Sequence, residues 1–139
     1  MKAEYITSTF ATAISYLIGG IDTALEVLLV IICLDIATGV IKAVKGGNFA
    51  SKNLREGFVH KAGYLIVIII CYQTDVLIFD GQLITRTAAV VFYIAVEISS
   101  IVENLGEMGV PIPKVIQKRL SRLSEMSEEI ETNDKGEQK

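Results

Sequence analysis

The sequence predicts an all-α fold: an integral membrane bundle of three to four transmembrane helices, followed by a C-terminal amphipathic helix on the cytoplasmic side. Three observations carry the prediction. Four apolar stretches of 17 to 23 residues follow one another, the length that crosses ~30 Å of hydrocarbon at ~1.5 Å per residue. The mean hydropathy is +0.49, with 51% hydrophobic residues. The charge is laid out in blocks rather than spread evenly. The 139 residues suffice for one domain.

The first stretch, Tyr5–Ile21, is uncharged but rich in Thr and Ser. Gly19-Gly20-Ile21-Asp22 forms a turn after it, with Asp22 or Thr23 as N-cap of the next helix. The second stretch is Ala24–Val44, closed by Gly46-Gly47-Asn48. The third is Ala62–Phe79, and Asp80-Gly81 turns into the fourth, Leu83–Leu105. Gly109, Pro111 and Pro113 end the fourth. Residues 1–110 thus form the membrane domain.

None of these stretches is a clean apolar run, so arithmetic decides. Ala24–Val44 holds twelve Leu, Ile and Val residues, together about -6 kcal/mol on an insertion scale. Asp35 near its centre costs about +3 kcal/mol. Glu26 and Lys42 lie near the ends and can snorkel. The balance favours insertion. Leu83–Leu105 has eleven large apolar residues against Glu97 and several polar groups, so its balance is nearer zero. Such a helix inserts together with partners. A soluble bundle of very apolar helices is the weaker rival.

Basic residues set the topology. Residues 42–61 hold five Lys and Arg against Glu56, and 107–124 hold four against Glu107, which assigns both segments to the cytoplasm. The 80–86 connection, with Asp80 and Arg86, goes outside. If the first stretch spans, there are four helices and a cytoplasmic N-terminus, the arrangement this reading favours. If it lies on the surface, there are three. Residues 112–130 read as an amphipathic helix, with Ile112, Val115, Ile116, Leu120, Leu123, Met126 and Ile130 recurring at three and four. Its basic half suits an anionic leaflet, and its apolar face equally suits its own copies. Residues 131–139 read as a disordered acidic tail.

Polar residues inside the spans form stripes. With steps of ~100° per residue, Arg86, Tyr93, Ser100 and Asn104 share a face with Glu97, and Glu103 lies beside them. On the second stretch, Asp35, Thr38, Gly39, Lys42 and Gly46 recur in the same way. Asp35 and Glu97 fall at similar depth. Such groups avoid lipid and face a bundle interior, a partner or water. The functional reading is a polar seam or wet lumen formed on assembly, and the structural alternative is a capped, hydrogen-bonded carboxyl. Gly39, Gly46 and Ser100 allow close helix approach in either case.

Other chemistry has little support. There is no nucleophile–His–acid set, no Gly-rich phosphate loop and no metal spacing, so no enzyme, cofactor or nucleic-acid role is expected. Cys33 and Cys71 lie in apolar runs and read as packing residues. A cleaved signal peptide is not expected, because Ala11–Ala13 is followed by more of the apolar run.

The ordered series Asp35-Ile-Ala-Thr38-Gly39, Lys42-Ala43, Ser51, Gly57, Lys61, Glu97-Ile-Ser-Ser-Ile-Val-Glu103-Asn104 and Gly109-Val-Pro111-Ile-Pro113 resembles the phage lysis and toxin secretion holin family, over about Gly19 to Leu120. The resemblance implies a homo-oligomer in the bacterial cytoplasmic membrane that forms lesions and releases a cell-wall hydrolase (an endolysin) or a large toxin, without catalysis. It implies Asp35, Thr38, Gly39, Glu97, Glu103 and Asn104 as assembly or lumen positions, to which the stripes add Lys42 and Ser100. The alternatives are a small ion channel or transporter subunit using Asp35 and Glu97, and a membrane adaptor that recruits a partner through 112–130.

Overall fold

The computed structural model describes residues 11–47 and 51–116, together with Lys118 and Arg122. Residues 11–17 are helical and form α1. Three long helices follow: α2, Thr23–Lys45; α3, Ser51–Ile78; and α4, Ile84–Glu107. Residues 114–116 are also helical. The fold is all-helical, with no strand among the described residues. α2, α4 and residues 55–78 of α3 are each long and apolar enough to cross a membrane. The expected fourth span depends in part on residues 5–10, which lie outside the described residues. So do most of the expected 111–130 helix and all of the 131–139 tail.

The local signals explain the boundaries. Asp22 adopts an extended conformation and its carboxylate accepts from the Leu25 amide at 2.9 Å, while Glu26 adds an acid to the first turn. Both favour the positive end of a helix dipole. Gly46 caps the other end, donating to the Lys42 carbonyl at 2.9 Å, and Gly47 follows at φ +67°. Between α3 and α4 the chain reverses through Asp80 (φ +50°) and Gly81 (φ +81°), and the Phe79 and Gly81 amides both donate to the Asp75 carbonyl. α4 ends with the Met108 amide on the Asn104 carbonyl, after which Gly109 at φ +81° and Pro111 prevent continuation.

α3 differs from the expected 62–79. It starts eleven residues earlier and absorbs most of the basic connection. The physical reason is propensity. Between Ser51 and Lys61 there is no proline and a single glycine, Gly57, and the Lys, Arg, Glu and Leu residues are good formers. The connection between α2 and α3 is therefore short.

α4 is the middle helix. It packs along α2 in parallel and along α3 in antiparallel, whereas α2 and α3 scarcely touch each other. Ile18, Leu25, Leu28, Ile68 and Val90 form the buried apolar core, backed by Ile14, Ile32, Ile69 and Ile94. All of them belong to the half of the bundle that holds the α1–α2 and α3–α4 turns. The opposite end, with Lys42, Lys45 and Arg55, is termed the basic end. The outside is apolar: Val30, Ile41, Ile66, Ile70 and Val91 are each more than half exposed. Apolar side chains outside and charged ones inside invert the soluble pattern.

Candidate functional site: a polar seam and a buried arginine node

Beyond the apolar core toward the basic end, the interior turns polar. Asp35 and Thr38 come from α2, Lys61 and Tyr64 from α3, and Glu97 and Asn104 from α4. Lys61 Nζ lies 2.9 Å from Asp35 Oδ2 and also pairs with Glu97 Oε2, so a single ammonium bridges two carboxylates. Glu97 is 2% exposed, while Lys61 and Asp35 retain slight access at 13% and 12%. The Asn104 amide reaches Asp35 Oδ1 and Thr38 Oγ1, both at 3.4 Å. Thr38 Oγ1 in turn donates to the Asp35 carbonyl at 3.0 Å. Tyr64 stacks on Tyr93 with ring centroids 4.0 Å apart, and the Lys61 ammonium lies 5.9 Å from the Tyr64 ring centre.

This grouping follows from the helices. Asp35 and Glu97 each sit just past the midpoint of helices that run in the same direction, so they lie at the same level. Gly39 faces the seam with room to spare: a Cβ there would meet Asn104 Nδ2 at 3.8 Å, an ordinary van der Waals contact. Lys42 sits at the basic end, paired with Glu107 at 3.2 Å. Beside it Lys45 donates to the Met108 carbonyl at 2.7 Å, a cation at the negative end of α4. Ser100 is half-buried along the same face of α4. Glu103 is exposed and points away from the seam. Of the residues singled out from sequence, the structure thus gathers Asp35, Thr38, Gly39, Glu97 and Asn104. It places Lys42 at the rim and Glu103 outside.

The other half of the bundle contains a second polar assembly. Asp75 of α3 is fully buried, and its carboxylate accepts from the Thr85 amide (2.8 Å), the Thr85 hydroxyl (2.7 Å) and the Arg86 amide (2.9 Å), capping α4 from outside its own chain segment. Arg86 is also fully buried. Its guanidinium donates to the Ile18 carbonyl through Nε, to Asp22 Oδ2 at 2.6 Å and to the Gly20 carbonyl at 2.8 Å. The arginine beside it holds the Asp22 carboxyl below the usual carboxylate range. All three nitrogens of this fork donate to the α1–α2 turn, satisfying two of its carbonyls and its one carboxylate.

Lys61, Asp75 and the anchoring role of Arg86 were not foreseen from sequence. Lys61 reads as a loop cation when α3 is taken to start after it. Asp75 reads as an acid near the end of a span. A signal was present: Asp75 and Thr85 are equidistant from Asp80, and Lys61 and Glu97 nearly so. In an antiparallel helical hairpin such mirror positions lie side by side.

Comparison with known proteins agrees with this architecture. The model of the bacteriophage holin family matches residues 12–125. A probable holin of Bacillus phage phi105 is 42% identical over 106 residues, covering 76% of this chain and 77% of that protein. The uncharacterized protein YqxH of Bacillus subtilis is 40% identical over 119 residues, 85% of this chain and 83% of its own. An uncharacterized 14.9 kDa protein in the nagH 3' region of Clostridium perfringens is 35% identical over 116 residues, 84% of this chain and 88% of its own. No solved structure matches.

Proposed function

The chain belongs to the bacteriophage holin family, and from that premise we propose that it oligomerises in the bacterial cytoplasmic membrane and forms lesions that release a cell-wall hydrolase or a large toxin. One observation carries the proposal: three ionisable side chains, Asp35, Lys61 and Glu97, meet within the spans and satisfy one another inside a single copy. Charged groups at such depth are costly and mark places where the protein meets water or a partner. Mutual satisfaction makes the monomer tolerable to lipid. Exposure of the same groups to a lumen would make them the wet wall of a lesion.

The basic end, with Lys42, Lys45 and Arg55, is assigned to the cytoplasm, and the turn at Asp80-Gly81 to the outside. This puts the segment after Pro113 on the cytoplasmic side. A cation-selective channel would need the two carboxylates free to hold its ion. Here the Lys61 ammonium occupies that position, so the lesion reading is the better one.

Asp35→Ala and Glu97→Ala are expected to shift the onset of lysis or abolish it while leaving the protein in the membrane fraction. The measurement is culture turbidity after induction in a bacterial host, together with release of a cytoplasmic enzyme to the medium. Wild-type timing in both variants would overturn the role of the seam. Passage of ions without passage of protein would overturn the lesion.

A further inference from the structure

The two ends of the bundle are held together unequally. At the turn end, Asp75, Thr85 and Arg86 join α3 and α4 to the α1–α2 turn through buried and part-buried hydrogen bonds, and Thr85 adds a bond to the Cys71 carbonyl. At the basic end, Lys42 and Lys45 fasten α2 to α4. α3 is held differently there. Between Lys61 and that end it shows Phe58 and Val59 62% and 66% exposed, and along its length it scarcely touches α2. Among the described residues, the Lys61 side chain crosses the gap from α3 to the Asp35 carboxylate.

We propose that Lys61 is a positioning residue that bolts the polar seam shut in a single copy, and that assembly begins when the basic half of α3 swings off α2 and α4 about the Arg86 node. This rests on the holin reading given above. The seam holds two carboxylates and one ammonium. When the ammonium leaves, Asp35 and Glu97 face each other across a medium of low dielectric, where like charges repel strongly. They then require water or another cation. The ammonium of a second copy is a cation of the right kind at the right depth. One movement thus uncovers the seam and creates the demand for a partner.

The test uses the full chain with Cys33→Ser and Cys71→Ser, carrying Gly39→Cys as a reporter inside the seam, where a Cβ makes only ordinary contact. Labelling by a membrane-impermeant maleimide is followed in inverted membrane vesicles, and lysis onset in the parent cells. Lys61→Gln is expected to label at least fivefold faster than the Lys61 protein and to lyse in half the time or less, at equal membrane content. Exchanging the charges, as Asp35→Lys with Lys61→Asp, is expected to restore slow labelling and late lysis, which a merely structural lysine would not allow. Equal labelling rates for Lys61 and Lys61→Gln, or no recovery in the exchanged pair, would overturn the bolt. Equal labelling of the Lys61 protein before and after lysis onset would overturn it as well, without any substitution at 61. Failure of the unsubstituted chain to release cytoplasmic protein would instead overturn the holin reading, and the labelling contrast would still report on the bolt.

Discussion

Replacing Arg86 with Met keeps the aliphatic stem and removes the guanidinium fork. The arginine is fully buried and serves two backbone carbonyls and the Asp22 carboxylate. Its loss leaves Ile18 and Gly20 with inward-facing oxygens and Asp22 with no countercharge. Each inward-facing carbonyl left without a donor costs about 1–3 kcal/mol. Asp22 is different. Its side chain is 42% exposed, so water screens the pair, and in Asp22→Asn the amide oxygen can still accept from a guanidinium that keeps both of its carbonyl bonds, which leaves a cost nearer the roughly 0.2–1 kcal/mol of an exposed pair. The two ends of one ion pair should therefore respond unequally. The assay is the midpoint of thermal aggregation of the purified protein in a mild detergent. Arg86→Met, which strands two carbonyls, should lower it by about three times or more the drop seen for Asp22→Asn. Arg86→Lys should fall between, because a point charge cannot serve three acceptors with fixed geometry. Equal shifts for Arg86→Met and Asp22→Asn would refute the reasoning, since they would show that the buried carbonyls carry no cost.

The remaining predictions concern the same region. Asp22 has a depressed pKa in the folded chain, so its contribution is fully present above the ordinary carboxylate value of about 3.9 and is lost as pH falls through the lower folded value. Midpoints measured from pH 5 downward should fall less steeply in Asp22→Asn than in the parent, and identical slopes would count against the pairing. Gly19→Ala should destabilise more than Gly20→Ala. Both glycines have φ near +80° to +90°, but a Cβ at Gly19 would run into the Tyr72 ring, while one at Gly20 meets nothing within 4 Å. Adding Tyr72→Ala should recover the difference, and equal midpoints for the two single variants would show that the ring gives way freely.

What sequence could reveal here depended on periodicity. Spans announce themselves by length and apolar content, and the Asp22 cap and the Asp80-Gly81 turn by residue type. Helix phase placed Asp35, Thr38 and Gly39 on one face and Glu97 and Asn104 on another, and in the structure these faces meet. Phase alone says which residues share a face but not which faces pair. That is why Lys61, from a third helix, was missing from the seam, and why Glu103, one residue from Asn104, was included. The start of α3 was hidden for another reason. Basic residues at a membrane edge are equally at home in a loop and in a helix, so composition could not tell where hydrogen bonding begins. Asp75 was hidden because its partners are amides and a hydroxyl of the next helix, which leave no charge pattern to read.

The middle position of α4 has a consequence for the newborn chain. Synthesis delivers α2 and α3 to the membrane before α4 exists, yet these two scarcely pack on each other in the finished bundle. For that interval Asp35 of α2 and both Lys61 and Asp75 of α3 would meet lipid without α4 to cover them. Together Asp35 and Lys61 form an ion pair that needs no third helix. Glu97 can then arrive on an amphipathic helix whose own insertion balance is near zero, drawn in by an ammonium already waiting at its depth. Of the three long helices, the last to be made supplies the packing that the other two lack.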